Sequence, residues 1–250
     1  MVDLGVVERL EELKAEGKIR YLGFSFHDSY QAFEEMLCAR DWDFCQIQLN
    51  YMDTNEQAGM KGYKLTEERN IPLVIMEPIK GGMLANFGAD IKKKFNELDP
   101  EASVASFALR WVGSLPNVKV VLSGMSNMEQ VEDNLKTFGD VKCLSEEEAK
   151  GIDEIVSIIN SRVQNGCTGC GYCMPCPAGV NIPKNFRVWN TYHMYQSYDA
   201  VRWNWETEMK DCEKAKNCVE CGMCEAACPQ ALSIREDLKK VQEDLDNKSI

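Results

Sequence analysis

Residues 44–51 read FCQIQLNY. Cys45, Ile47 and Leu49 alternate with Gln46, Gln48 and Asn50, the period of an extended strand with one apolar and one polar face. Three further segments read as short strands, as continuous apolar runs: IRYLGFSF at 19–26, PLVIMEP at 72–78 and KVVLSG at 119–124. Segments of helical period separate them. Residues 4–16 carry Leu4, Val7, Leu10 and Leu13 and are closed by Gly17. Residues 30–40 carry Phe33, Met36 and Leu37 behind an N-cap at Asp28 or Ser29. Further helices are expected near 56–69, at 100–113 with Asp99 as cap and Pro100 in the first turn, at 127–138 and at 145–162. Strands alternating with helices make β-α units on a parallel sheet. Four units in about 160 residues compare with about 250 for a closed eight-stranded barrel. The expected fold is therefore α/β, a partial (β/α)8 (TIM) barrel of about four β-α units. An open doubly wound sheet is the alternative, although no GxGxxG follows the first strand.

The texture changes after residue 166. Nine of the twelve cysteines of this 250-residue chain lie beyond that point, so two domains are expected, 1–163 and 164–250. The formal charge of −12 repels phosphate backbones and anionic lipid, which argues against nucleic acid and membrane as partners. No apolar run approaches the roughly 20 residues of a spanning helix. The acidic, amphipathic start lacks the features of a signal peptide. A cytoplasmic protein is expected, and in that compartment clustered thiols are more often metal ligands than disulfides.

Two cysteine motifs carry the chemistry. CVECGMCEAACP, from Cys218 through Cys221 and Cys224 to Cys228 and Pro229, has the spacing C-x2-C-x2-C-x3-C-P of bacterial ferredoxins. CTGCGYCMPCP, from Cys167 through Cys170 and Cys173 to Cys176 and Pro177, is one residue shorter before its last cysteine. Three thiolates at two-residue gaps wrap a loop around one cubane, and the proline turns the chain away so that the fourth projects elsewhere. Structural zinc sites use two separated C-x2–4-C pairs, a different arrangement. The expectation is a mainly helical, ferredoxin-like domain with two [4Fe–4S] clusters. Cys167, Cys170 and Cys173 would join Cys228, and Cys218, Cys221 and Cys224 would join Cys176, a local fourth ligand being the alternative that the shortened gap leaves.

The remaining cysteines receive plainer roles: Cys38, Cys45 and Cys143 as small core residues, Cys212 as a bystander. Phe186, Trp189, Tyr192, Tyr195 and Tyr198 recur at three-residue steps and suit a helix with an aromatic face. His193 is expected to pack rather than to ligate, and His27 to hold a structural hydrogen bond. In a parallel barrel function gathers where strands end. Here that means Ser25 and His27; Gln46, Gln48 and Asn50 on one shared face; Glu77 and Lys80-Gly81-Gly82; and Ser123 through Asn127. The glycine pairs and the helix opening near Ser126 or Asn127 have the form of a phosphate site.

KAEGKIRYLGFSFHDS, FCQIQLNYMD, IPLVIMEPIKGGML and VVLSGMSNMEQVEDNL, followed by the two cysteine motifs, resemble the C-terminal part of aldo/keto reductases carrying a C-terminal ferredoxin-like two-[4Fe–4S] domain. The resemblance implies that the four strands are strands five to eight of a (β/α)8 barrel, with a nicotinamide nucleotide, NAD(P)H, across their C-terminal ends. It places Ser25 and Gln46 at the carboxamide, and Met76 where many relatives stack a tyrosine on the ring. Glu77, Pro78 and Ile79 would line the pyrophosphate and ribose, and Gly124, Met125, Ser126, Gln130 and Asn134 the adenosine phosphate end. Ser126 stands where relatives hold a 2′-phosphate with a basic residue. The family's catalytic aspartate, tyrosine, lysine and histidine come from the first four strands. The expectation is thus an iron–sulfur oxidoreductase of aldo/keto reductase type with nicotinamide-linked electron transfer, a fragment or split polypeptide without catalytic residues and inactive in carbonyl reduction by itself. The alternative is a non-catalytic [4Fe–4S] electron-transfer or structural protein with the half barrel as scaffold. Expected partners are a redox protein or small-molecule electron donor or acceptor, and a chain supplying the missing strands.

Overall fold

The computed structural model describes residues 5–139 and 142–248. The chain divides into two compact units, Met1–Ala85 with Phe95–Ile152, and Asn86–Lys94 with Asp153–Ile250. In chain order the elements are α1 (Val6–Ala15), β1 (Gly23–Phe26), α2 (Tyr30–Cys38), β2 (Phe44–Gln48), α3 (Gly59–Glu68) and β3 (Leu73–Met76). A 3-10 segment (Lys80–Ala85) follows, then α4 (Ala89–Leu98), α5 (Val104–Gly113), β4 (Val118–Val121), α6 (Met128–Gly139) and α7 (Glu146–Ser161). After the first cysteine loop come α8 (Ile182–Tyr195), α9 (Asp199–Trp203), α10 (Met223–Ala227) and α11 (Ile234–Asn247). Leu4, expected in the first helix, lies outside the described residues. Among the described residues no helix is long and apolar enough to cross a membrane.

The four strands are parallel and run in the order β1-β2-β3-β4. Cys45, Ile47, Leu73 and Ile75 are fully buried against Phe33 and Leu37 of α2, Tyr63 of α3 and Val112 of α5. Each such side chain is worth about 1.5–3 kcal/mol of burial. The alternate residues Gln46, Gln48, Val74 and Met76 keep partial exposure on the opposite face. A doubly wound sheet has helices on both faces and a reversal in strand order. Sequential order with this one-sided burial is a partial (β/α)8 barrel.

Several sequence expectations are corrected. The strands are shorter than their apolar runs, ending once the ladder ends. Helix α5 starts four residues after the 100–113 estimate, at Val104: Ser103 is its cap, accepting from Ser106 N at 3.0 Å, while Asp99 Oδ1 accepts from Glu101 N at 2.9 Å in the preceding turn. Ser29 rather than Asp28 caps α2. Cys45 is in the core, where burial pushes its thiol up to about 12. Cys38 and Cys143 are exposed instead. Cys38 ends α2 at the rim, with Arg69 Nη1 at 3.7 Å from its sulfur.

In the first unit the Arg110 guanidinium meets Glu148 at 2.5 Å, both side chains nearly buried. Burial opposes ionisation of Glu148, yet hydrogen bonds from Arg110 and from Ser145 hold its carboxyl below the usual range. A lowered folded value means stability that is complete above the unfolded pKa, about 4.3, and is lost as pH falls through the folded value. Glu148→Gln is expected to cost about 2 kcal/mol at pH 7. In urea titrations that difference from the parent should shrink as the pH drops below about 4. A pH-independent difference would show that packing, not charge, is what was lost.

The second unit is centred on α8 and α11. Phe186, Trp189 and Tyr192 bury against Leu238, Val241 and Leu245. Gln196, left-handed at φ 47°, ends α8 after Tyr195, so Tyr198 lies beyond the helix, edge-on to the Tyr192 ring, and donates to Glu206 at 2.8 Å. Trp189 Nε1 donates to Asp244 Oδ2 at 2.7 Å, and His193 Nε2 lies 2.8 Å from the same oxygen. That places His193 in a helix–helix contact.

Candidate functional site

The two cysteine loops repeat one backbone. Gly169 and Gly171, at φ 71° and 77°, flank Cys170; Glu220 and Gly222, at φ 55° and 77°, flank Cys221. Left-handed residues on either side of the middle cysteine curl the loop so that successive thiols face inward. The third residue after each last cysteine is left-handed again, Gly179 and Ala231. Their N–H groups donate to the carbonyls of Cys176 and Cys228 at 2.9 and 3.2 Å. Each turn leads into a 14-residue helix, α8 after the first motif and α11 after the second. The residue that the first motif lacks is accommodated in the second by the short helix α10.

The thiols sort across the motifs. Cys167, Cys170, Cys173 and Cys228 line one cavity, closed by Ile182, Phe186, Leu232 and Ile234. Cys176, Cys218, Cys221 and Cys224 line another of about 210 Å³, with Ile182, Leu238 and Ala227, and Cys173 also reaches its wall. Cys170 and Cys221 are exposed; the other six thiols are half-buried against the apolar core. Burial, together with repulsion from Cys167, Cys170 and Cys228, holds the Cys173 thiol high. Burial does the same for Cys224, with Cys218 among its neighbours. Among the described residues no three His, Cys, Asp or Glu side chains close on one point as the ligands of a single ion do. The thiols ring two volumes instead. Four cysteines around the first volume and five around the second, with Cys173 common to both, in an apolar wall are a donor set that fits a cubane at each.

Three asparagines pin these loops, Asn165 and Asn185 buried and Asn190 half-buried, and no periodicity in the sequence marked them. Asn165 Oδ1 accepts from Cys167 N at 2.9 Å, and its Nδ2 donates to Asp237 at 2.7 Å. Asn190 Oδ1 in α8 accepts from the N–H of Gln164 and of Asn165, both at 3.0 Å. Asn185 joins α8 to the chain leading into Cys218: its Nδ2 donates to Glu213 O at 2.8 Å and its Oδ1 accepts from Ala215 N at 3.0 Å. Cys212 is exposed and lines neither cavity.

In the first unit the strand-end residues form two groups. Register puts Ser25 beside Gln46 and Gln48 beside Met76. Gln46 Nε2 donates to Ser25 Oγ at 3.3 Å and approaches Met76 Sδ at 3.4 Å, so these three meet on the open sheet face. Gln48 and Asn50 turn to a different task. Both donate to Asp53, at 3.0 and 2.9 Å, and Asp53 also takes Lys80 Nζ at 2.6 Å. Asn50, fully buried, donates further to the carbonyl of Glu77 at 3.2 Å. Glu77, Lys80, Gly81 and Gly82 all have positive φ, an irregular loop held in place by this network. Pro78 is buried and Ile79 half-buried in the same loop.

In the second group Gln130 Oε1 accepts from Ser126 N at 2.7 Å, and Asn134 Nδ2 donates to Ser123 Oγ at 2.8 Å. Asn127 Oδ1 accepts from Gln130 N at 2.9 Å and caps α6. Gly124 faces open space and Met125 is exposed. Hydrogen-bonding amides and hydroxyls at strand ends beside a helix start are side-chain types suited to a nucleotide's carboxamide and phosphates. His27 is exposed.

The model of the Aldo/keto reductase family matches residues 3–157, well over half of the chain. The chain belongs to the aldo/keto reductase family. A 4Fe-4S dicluster domain follows at residues 166–232, so a reductase-family domain precedes an iron–sulfur domain, as the motifs led one to expect. Among curated proteins the chain is 25% identical over 167 residues to the "Uncharacterized oxidoreductase YqkF" of Bacillus subtilis, covering 58% of this chain and 53% of the relative. Among solved structures, the aldo-keto reductase AKR11C1 from Bacillus halodurans is 23% identical with a TM-score of 0.48, covering 59% of this chain and 54% of that one. An aldo-keto reductase from Klebsiella pneumoniae in complex with NADPH is 23% identical with a TM-score of 0.46, over 60% and 52%. This family member thus spans about half the length of the relatives it matches.

Proposed function

We propose that this chain is an oxidoreductase of aldo/keto reductase type that carries electrons on two [4Fe–4S] clusters and links them to a nicotinamide nucleotide. The observation that carries this is that Cys228 lines the cavity of the first motif's three thiols and Cys176 that of the second motif's, with Cys173 on the wall between them. Cys167, Cys170, Cys173 and Cys228 hold one cluster; Cys176, Cys218, Cys221 and Cys224 hold the other. A cubane held this way supplies one-electron transfer. The protein's part is to present thiolates, to exclude water with Ile182, Phe186, Ile234 and Leu238, and to fix the loops through Asn165 and Asn185. Ser25 and Gln46 orient the nicotinamide carboxamide, with Met76 beside the ring. Glu77, Pro78 and Ile79 line the central phosphates, and Gly124, Met125, Ser126, Gln130 and Asn134 the adenosine end. The protein acts in the cytoplasm with a redox protein or small molecule as electron donor or acceptor.

Anaerobically purified protein is expected to hold about eight irons and eight acid-labile sulfides per chain. One or two zinc ions without sulfide would overturn the cluster assignment. Independently, Gln46→Ala is expected to weaken NADPH or NADH binding about tenfold, some 1.4 kcal/mol, in a fluorescence titration, with the iron content unchanged. Equal binding by parent and variant would remove Gln46 from the nucleotide site.

A further inference from the structure

The two cysteine cavities share a loop design and differ at their mouths. By position in the motifs, Thr168 corresponds to Val219 and Tyr172 to Met223. Tyr172, Val219 and Met223 are 70%, 68% and 62% exposed, and all three line the cavity of Cys176, Cys218, Cys221 and Cys224. The rim of the other cavity offers Thr168, Pro229 and Gln230. No exposed large apolar residue found among the described residues belongs to that rim. Scattered apolar side chains on a surface are ordinary; three gathered at one cavity mouth mark a contact surface.

Charges beside the patch cancel locally. Glu220 pairs with Lys239 at 2.8 Å and Glu225 with Arg235 at 2.7 Å. In a chain of net charge −12 this leaves an apolar, locally neutral area directly over four thiols. Its occupant is therefore recognised by short-range apolar contact rather than by charge steering. A contact centred on a few side chains matches the small, transient interfaces of electron-transfer encounters, under about 1,200 Å².

We infer that Tyr172, Val219 and Met223 form the docking surface for a one-electron carrier protein, and that electrons enter or leave through the cluster of Cys176, Cys218, Cys221 and Cys224. This rests on the two-cluster assignment above. In the inward direction one electron leaves the reduced carrier, oxidising it by one equivalent, and reduces the cluster by one. No bond forms or breaks and no proton moves.

The test compares Val219→Glu/Met223→Glu with Thr168→Glu/Gln230→Glu, which places the same charges at the other mouth. Iron, sulfide and the cluster EPR signals are measured first; a chain holding neither iron nor sulfide would overturn the cluster assignment itself. Each protein is then mixed with dithionite-reduced bacterial ferredoxin at about 0.3 M salt, where long-range repulsion is screened, and separately with reduced methyl viologen. The expected result is a drop of tenfold or more in the ferredoxin rate for the Val219/Met223 variant alone, with its cluster signals and viologen rate unchanged. Equal ferredoxin rates for the two variants would overturn the docking surface, as would a matching fall in the viologen rate. A native dimer that the Val219/Met223 variant alone dissociates would also overturn it, assigning the patch to a second copy of this chain.

Discussion

Replacing Cys176 by alanine is expected to remove the cluster held by Cys218, Cys221 and Cys224, more than 40 residues away in sequence, and to spare the one beside it. Cys176 lines the cavity of the second motif's first three thiols, whereas Cys228 lines that of the first motif's. The neighbours of Cys173 point the same way, since Cys167, Cys170 and Cys228 all raise its pKa. Cys173 reaches both cavity walls, so the assignment needs a test by grouping. Alanine variants of Cys176 and Cys221 should share one residual EPR spectrum, and those of Cys170 and Cys228 the other, each with about four irons per chain. Were the Cys176 variant to group with Cys170, the fourth ligand would be local. Because cluster binding is coupled to folding, the Cys176 and Cys228 variants should each also lower the unfolding midpoint of the second unit. Crossed ligands mean that neither loop completes its site alone.

The alternation in FCQIQLNY was enough to identify a strand with one polar face, and the two cysteine motifs identified the second unit's chemistry. Which barrel or sheet the strands build was not legible locally. It depends on helices α2, α3 and α5 covering a single face, a tertiary fact that each strand's own sequence leaves open. Helix α4 escaped because only Ile91 and Phe95 mark its buried side in an otherwise polar run. Asp99 and Pro100 imitate a helix start but form the turn before Ser103. Cys38 and Cys143 sit among apolar neighbours in sequence yet at the rim in space. At the strand ends Gln46, Gln48 and Asn50 were read as one lining, but the first meets Ser25 and Met76 while the other two anchor Asp53. Glu220 was invisible as well: it holds the left-handed position that Gly169 fills in the first motif, at a cost that Lys239 and Arg235 help to offset.

Asn185→Leu is expected to cost about 3–5 kcal/mol and to empty one cluster site in preference to the other. The side chain is fully buried, and leucine matches its bulk without its hydrogen bonds. Its loss strands the N–H of Ala215, which Asn185 now pairs at 3.0 Å, and takes from the carbonyl of Glu213 one of its two hydrogen bonds, the other coming from Asn181 N at 3.0 Å. Each buried group left unpaired costs about 1–3 kcal/mol. Cys218 N donates to Ala215 O at 3.0 Å, so the disturbance passes directly to the first thiol of the second motif. Asn165→Leu acts on the other loop, where the asparagine accepts from Cys167 N. A merely structural role would lower the urea midpoint and drain iron from both sites alike. A positioning role gives opposite selectivities: the Asn185 variant retains the EPR signal of the Cys167, Cys170, Cys173 and Cys228 site, and the Asn165 variant retains the other. Loss of both signals together in each variant, at temperatures where the fold is intact by circular dichroism, would show that these asparagines hold the unit as a whole rather than one loop each.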